Sequence, residues 1–253
     1  MTAALRVAVL GARGRMGAEV CRSVEAAADL VLVAAIDDDG AVAEAEAAGA
    51  QVVVDFTRPD VVMTSLAEVV DRGMHAVVGT SGFDEARLAQ VASWLDAAPG
   101  VGVVVAPNFA LGAVLMMRFA RQAAPLFESV EVVEMHHPAK VDAPSGTAIR
   151  TAEEMAAARA AAGGVGAPDA TAPAVDAARG VSVSGIPVHS VRLRGLVAHQ
   201  EVLLGNPGET LTLRHDSFDR SSFMPGVLAA VRAVPTRPGL TVGLEAVLGL
   251  DAR

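Results

Sequence analysis

Lysine is almost missing from this chain. Of the 20 basic residues only Lys140 is a lysine. Arginine cannot replace lysine where a compact ammonium must give up a proton, because the guanidinium stays charged far above neutral pH. A sole lysine is therefore a place to look for chemistry. Cysteine is as scarce: Cys21 stands alone, which excludes an intramolecular disulfide and argues against a secreted scaffold. Charge is sparse as well, 19% of residues beside 52% hydrophobic, where soluble domains carry about 25%. The net charge is -9, and no basic stripe offsets it, which argues against nucleic acid as the main partner. No unbroken apolar run reaches the ~18 residues of a membrane span. The apolar run Val7–Leu10 is too short for a signal peptide and meets a glycine turn. A cytoplasmic protein without a membrane partner is expected.

The 253 residues suffice for one large domain or two modest ones. In the first hundred, short apolar runs alternate with helical patterns. Strands are expected at Leu5–Leu10, Val31–Ile36, Val52–Phe56, Ala76–Val78 and Val101–Ala106. Helices are expected at Met16–Ala28, from near Pro59, and at Glu85–Asp96. Continuously apolar strands in such alternation predict a buried parallel sheet with helices on both faces. The second half differs. Helices at Leu111–Phe127 and Thr147–Ala162 flank a strand at Val130–Met135, and Gly163–Gly180 reads as a long surface loop. Strands Val188–Leu193, Val197–Leu204 and Thr210–Arg214 then follow without helices between them, before a last helix at Ser222–Arg232. That is a separate, partly antiparallel sheet. Its Val188, Val191, Leu193, Val197, Val202 and Leu204 offer more apolar area than a small domain covers alone, which predicts subunit contacts there.

Gly11-Ala12-Arg13-Gly14-Arg15-Met16-Gly17 joins the first strand to the first helix. Glycines there let the backbone turn tightly and approach a pyrophosphate, which the helix start attracts. The spacing, G-x-x-G-x-x-G, departs from the commoner G-x-G-x-x-G and is a weak signal alone. Asp37 strengthens it, opening the acidic cluster Asp37-Asp38-Asp39 at the end of the second strand. A carboxylate there bonds the ribose 2′-hydroxyl of NAD, whereas Arg13 and Arg15 suit the 2′-phosphate of NADP. Two further loops end strands on the same side: Gly79-Thr80-Ser81-Gly82, and Ala106-Pro107-Asn108-Phe109.

The run His136-His137-Pro138-Ala139-Lys140-Val141-Asp142-Ala143-Pro144-Ser145-Gly146-Thr147 concentrates the chemistry. The lysine brings a charge and a transferable proton, and a histidine titrates near neutrality. The Pro-Ser-Gly-Thr turn opens a helix, whose amides, hydroxyls and dipole make a seat for a carboxylate. Adjacent histidines with no cysteine pair and no H-E-x-x-H helix make a poor zinc site, so no metal is expected.

These segments, with Gly185-Ile186-Pro187-Val188-His189 and Gly195-Leu196-Val197-Ala198-His199-Gln200-Glu201, run in an order that resembles the dihydrodipicolinate reductase family. The histidine–lysine segment is highly specific to that family and the glycine loop is not. The resemblance implies an α/β fold: a Rossmann-type parallel-sheet dinucleotide-binding domain (1–109 and 218–253) plus an α+β substrate-binding and tetramerisation domain (110–217) with a mixed open sheet. It implies NADH and/or NADPH on Gly11, Ala12, Arg13, Gly14, Arg15, Met16, Asp37, Gly79, Thr80, Ser81, Ala106, Pro107, Asn108 and Phe109. It makes His136 the acid/base, Lys140 the proton donor, and His137, Ser145, Gly146 and Thr147 the seat of a small dicarboxylate. The implied reaction reduces 4-hydroxy-tetrahydrodipicolinate in lysine and diaminopimelate synthesis, in a homotetramer. Another Rossmann-type reductase of a small carboxylate would explain the glycine loop but not the clustered cationic seat. A non-catalytic dinucleotide sensor would need neither His136 nor Lys140.

Overall fold

The structure is a computed structural model that describes residues 3–37, 40–164, 166–172 and 178–250. Asp38, Asp39 and part of the loop expected over 163–180 lie outside the described residues. The chain runs β1 (Leu5–Leu10), α1 (Arg15–Ala26), β2 (Leu30–Ile36), α2 (Val42–Ala47), β3 (Val52–Asp55), α3 (Val62–Asp71), β4 (His75–Val78), α4 (Glu85–Asp96), β5 (Gly102–Val105). It continues with α5 (Leu111–Ala123), β6 (Ser129–His136), α6 (Gly146–Ala161), β7 (Val181–Val183), β8 (Ile186–Arg192), β9 (Ala198–Asn206), β10 (Glu209–Ser217), α7 (Met224–Ala233) and β11 (Gly239–Val242). Two compact units result: Met1–Ala110 with Phe223–Arg253, and Leu111–Ser222. No helix among the described residues is long and apolar enough to cross a membrane.

The first unit is built on six parallel strands in the order β11-β5-β4-β3-β1-β2. Its valine runs are enclosed on both faces: Val7, Val9, Val52, Val53, Val54, Val77, Val103 and Val104 are all at 0% exposure. The helices supply the cover, as continuous apolar strands require. Strand β2 lies on one side of β1 and β3 on the other, so the chain changes direction across the sheet at β1. Ligands of open α/β sheets gather at the carboxyl ends of strands at such a switch.

The second unit carries a mixed sheet, β10-β9-β6-β8-β7, in which β6 and β8 are parallel and the other pairs antiparallel. Its core joins Met116, Met117 and Ala120 of α5, and Ala152 and Met155 of α6, to Val130, Val132, Val188, Val202 and Leu204 of the sheet. One part of the sequence reading is corrected here. Val188, Val202 and Leu204 were expected to face a neighbouring subunit, yet they are 2%, 0% and 1% exposed beneath the unit's own helices. Strand side chains alternate between faces, so the surface residues are their neighbours, Val191 and Leu203 among them. Arg159, near the end of α6, is buried and donates to the carbonyls of Ala124, Phe127 and Glu128. It thereby satisfies the 3-10 turn that follows α5.

Candidate active site

At the switch point Gly11 adopts φ 73°, and a Cβ there would stand 2.7 Å from the Phe56 carbonyl oxygen. A Cβ on Gly17 would overlap the Gly11 carbonyl. The turn itself therefore demands glycine at both positions. Gly14 is the N-cap of α1, offers no side-chain acceptor, and is followed by no acidic residue in the first turn. The leading amides of α1, from Arg15, Met16 and Gly17, thus form an uncapped positive end beside β1. The Ala12 amide donates to the Ile36 carbonyl at 3.0 Å, which ties the loop to the end of β2. Asp37 comes with it, 3.4 Å from Arg13 Nε. An uncapped helix start, a carboxylate and the exposed Arg13 and Arg15 suit a dinucleotide. The amides fit its pyrophosphate, Asp37 a ribose hydroxyl, and the arginines a 2′-phosphate.

The neighbouring loops are organised by a residue that sequence reasoning did not single out. Asp55 ends β3 with 2% exposure. It accepts from the Thr57 amide and hydroxyl at 2.9 and 2.6 Å, the Ser65 hydroxyl at 2.7 Å and the Thr80 hydroxyl at 3.1 Å. The Thr80 side chain is thus part of the scaffold, while Ser81 is exposed. Gly79 follows β4, its amide bonded to the Asp55 carbonyl at 3.0 Å, and a Cβ there would overlap the Phe56 ring. Ala106 and Phe109 are buried, and the Phe109 ring tilts against Phe56 at 5.9 Å. Pro107 is exposed, and half-buried Asn108 accepts from the Ala110 amide at 2.9 Å.

In the second unit His136 closes β6. Its Nδ1 lies 2.5 Å from Glu134 Oε2. Glu134 is fully buried and meets Arg192 in a two-point bridge, 2.8 Å at each end. The Ser145 amide donates to the same carboxylate at 3.1 Å. Burial alone would raise the Glu134 carboxyl, but hydrogen bonds from Arg192, Ser190 and His136 outweigh it and hold the group below its ordinary value. For His136, burial pushes the imidazole below its ordinary value. The Glu134 hydrogen bond and charge pull the other way, and Lys140 and Arg192 add to the depression.

Ser145 caps α6, its hydroxyl accepting from the Ala148 amide at 3.2 Å. Gly146 follows, and a Cβ there would meet nothing within 4 Å, so there is room in front of the helix start. Thr147 takes the next position. Lys140 Nζ contacts both oxygens of Asp142, at 2.7 and 3.0 Å. Asp142 lies below its ordinary carboxylate value. Burial opposes this, and the Lys140 hydrogen bond and charge and the Asp142 and Gly146 backbone groups bring it about. His137 is half-buried, its carbonyl accepting from the Lys140 amide at 3.2 Å. One continuous segment therefore gathers His136, His137, Lys140, Ser145, Gly146 and Thr147 around the end of β6 and the start of α6. Glu134, Arg192 and Asp142 were missed. Glu134 had a signal: it stands two residues before His136 on a strand, hence on the same face. Arg192 had none, since only the parallel pairing of β6 with β8 sets it opposite His136.

Comparison with known proteins covers nearly the whole chain. The family described as "Dihydrodipicolinate reductase, N-terminus" matches residues 5–109, and "Dihydrodipicolinate reductase, C-terminus" matches residues 112–248. The 4-hydroxy-tetrahydrodipicolinate reductase of Streptomyces coelicolor is 63% identical over 248 residues, 98% of this chain and 99% of that protein. The enzyme of the same description from Nocardia farcinica is 62% identical, over 97% of this chain and 99% of its own. Among solved structures, dipicolinate-bound dihydrodipicolinate reductase from Paenisporosarcina sp. TG-14 superposes with a TM-score of 0.85 at 36% identity, covering 96% of this chain and 99% of that one.

Proposed function

Because the chain belongs to the dihydrodipicolinate reductase family, we propose that it reduces 4-hydroxy-tetrahydrodipicolinate to tetrahydrodipicolinate with NADH or NADPH. The single observation behind the residue roles is the segment from His136 to Thr147, folded so that a titratable pair and an open helix start adjoin. The dipicolinate in the Paenisporosarcina structure supports a planar dicarboxylate as the ligand class here. A bound reduced nicotinamide supplies the hydride. Lys140 Nζ holds the proton that must accompany it, and its charge meets the negative charge that builds on the ring. His136 serves as acid/base beside it. His137, Ser145, Gly146 and Thr147 hold the carboxylates, so much of the rate enhancement comes from orientation and from fixed positive groups.

On the first unit, Gly11 to Met16, Asp37, Gly79 to Ser81 and Ala106 to Phe109 form the dinucleotide seat. Thr80 and Phe109 contribute through backbone and packing. Asp37 favours a free 2′-hydroxyl and Arg13 and Arg15 a 2′-phosphate, so the two cofactors are expected to differ by less than about tenfold, ~1.4 kcal/mol. The same reading takes the enzyme to be a cytoplasmic homotetramer assembled through the second sheet. A coupled assay decides the matter. Dihydrodipicolinate synthase product is supplied with NADH or with NADPH, and nucleotide oxidation is followed. No oxidation with either nucleotide would overturn the assignment.

A further inference from the structure

Glu134 is fully enclosed, yet it stays ionised among several donors. A buried ion pair is weak evidence for stability, since well-packed apolar residues of similar volume often do as well. The position of this one suggests another role. Glu134 and His136 project from the same face of β6. Arg192 is aligned with His136 across the parallel β6–β8 pair and grips both carboxylate oxygens of Glu134. Arg192 Nη2 also donates to the Asp142 carbonyl at 2.7 Å, and the Ser145 amide reaches Glu134 at 3.1 Å. One carboxylate thus joins the imidazole to the start of α6 and, through Arg192, to the loop that carries Lys140.

We propose, building on the reduction assigned above, that Glu134 is a positioning residue for His136. It holds the imidazole as the Nδ1–H form and leaves Nε2 as the atom that exchanges protons. An ionised carboxylate can only accept a hydrogen bond. Nδ1, at 2.5 Å, must therefore carry its hydrogen, which fixes both tautomer and ring orientation. The charged groups acting on His136 are Glu134, Lys140 and Arg192. Burial and the two cations prevail over Glu134, so the resting ring is neutral and Nε2 is basic. The labour then divides: Lys140 carries the proton to be given, and His136, neutral with Nε2 bare, offers a hydrogen-bond acceptor beside it.

The wild-type enzyme is tested first. Nitrogen-15 NMR of the imidazoles at neutral pH, with His136 assigned by its loss in His136→Gln, should show Nδ1 protonated and Nε2 bare. In Glu134→Gln turnover should fall on the order of 10²-fold while NADH affinity is kept. The ring should drift toward the Nε2–H form, and the acid limb of the turnover profile should move to lower pH as the anion is removed. Glu134→Asp keeps the charge and should recover the tautomer and part of the turnover. An Nε2–H ring in the wild type would overturn the proposal. So would lost turnover in Glu134→Gln with tautomer and acid limb unchanged, which would make Glu134 a support of the fold only. If Glu134→Gln does not fold, the wild-type tautomer and the aspartate variant decide. The tautomer is read without substrate, so it stands apart from the reaction. Full turnover in His136→Gln would instead remove the acid/base role of His136 while leaving the ring's state on Glu134 intact.

Discussion

Lys140 and an arginine in its place would carry the same charge, but only the ammonium has a proton to lend near neutral pH. Lys140→Arg should therefore lose turnover by ~10²–10⁴-fold, roughly 2.7–5.4 kcal/mol of transition-state stabilisation. NADH affinity, measured by nucleotide fluorescence, should stay as it is. Turnover above about a third of wild type, a loss of less than ~1 kcal/mol, would reduce Lys140 to an electrostatic anchor. Asp142 poses a complementary question. It pairs with Lys140 and draws on the Gly146 backbone, so an internal anion stands where a substrate carboxylate is proposed to sit. Asp142→Asn should then tighten pyridine-2,6-dicarboxylate binding in calorimetry. Weaker binding would show that Asp142 orders the loop rather than competes for the seat.

Loops at the ends of β3 and β4 depend on a single carboxylate, and the proposed dinucleotide seat depends on those loops. Asp55→Ala would leave the buried Ser65 and Thr80 hydroxyls only the Val62 and Asp55 backbone carbonyls, at 3.1 and 3.4 Å, and should cost about 1–3 kcal/mol in all. Thermal unfolding should show the loss, and NADH affinity should fall with it. Unchanged NADH affinity would separate the seat from this hub. In α6, Ser145→Ala removes the cap and should cost about 0.5–2 kcal/mol. The strands of the first sheet were legible because unbroken apolar runs leave a buried parallel strand as the simplest reading. Strand β11 was not, because glycine and threonine interrupt the apolar residues of Gly239–Val242, and helix α2 was not, because six residues carry too little pattern. Helix α5 was read too long, since its last turn tightens to 3-10 at Pro125, where the ring cannot continue the helical hydrogen bonding. The second sheet was legible in four of its five strands, the three-residue β7 being missed, but not as faces: Val188 and Val191 are equally apolar, and only the covering helices decide which is inside. At the site, the histidine–lysine segment could be read because its members are contiguous. Arg192 could not, because strand pairing alone brings it near.

Three expectations belong to the molecule as a whole. The face of the second sheet away from its helices presents Val191 and Leu203, each 37% exposed, beside the Arg214, Glu201 and Asp216 ion pairs. Leu203→Glu should break the proposed tetramer into smaller species by light scattering, and a monomeric wild type at micromolar concentration would sink the assembly. Acid should destabilise the fold in two stages. His136 and His215, mainly through burial, lie below the ordinary 6.5, so the unfolded chain takes up protons first as pH drops under that value. Glu131 and Glu134 are held below 4.5 by their partners against burial, and their contribution is full above that value and lost as pH falls through the depressed one. The unfolding temperature should decline below pH 6.5 and more steeply below 4.5, and a flat profile would contradict both assignments. The order of the strands also bears on how the protein is made. The second unit is one continuous stretch, Leu111–Ser222, whereas the first needs both Met1–Ala110 and Phe223–Arg253. Strand β11, which completes the first sheet beside β5, leaves the ribosome only after the whole of the second unit. Until it arrives, β5 is an unpaired edge rich in valine, open to pairing with other chains. Translation stalled after the second unit should therefore yield a chain whose later domain is sound and whose earlier one aggregates.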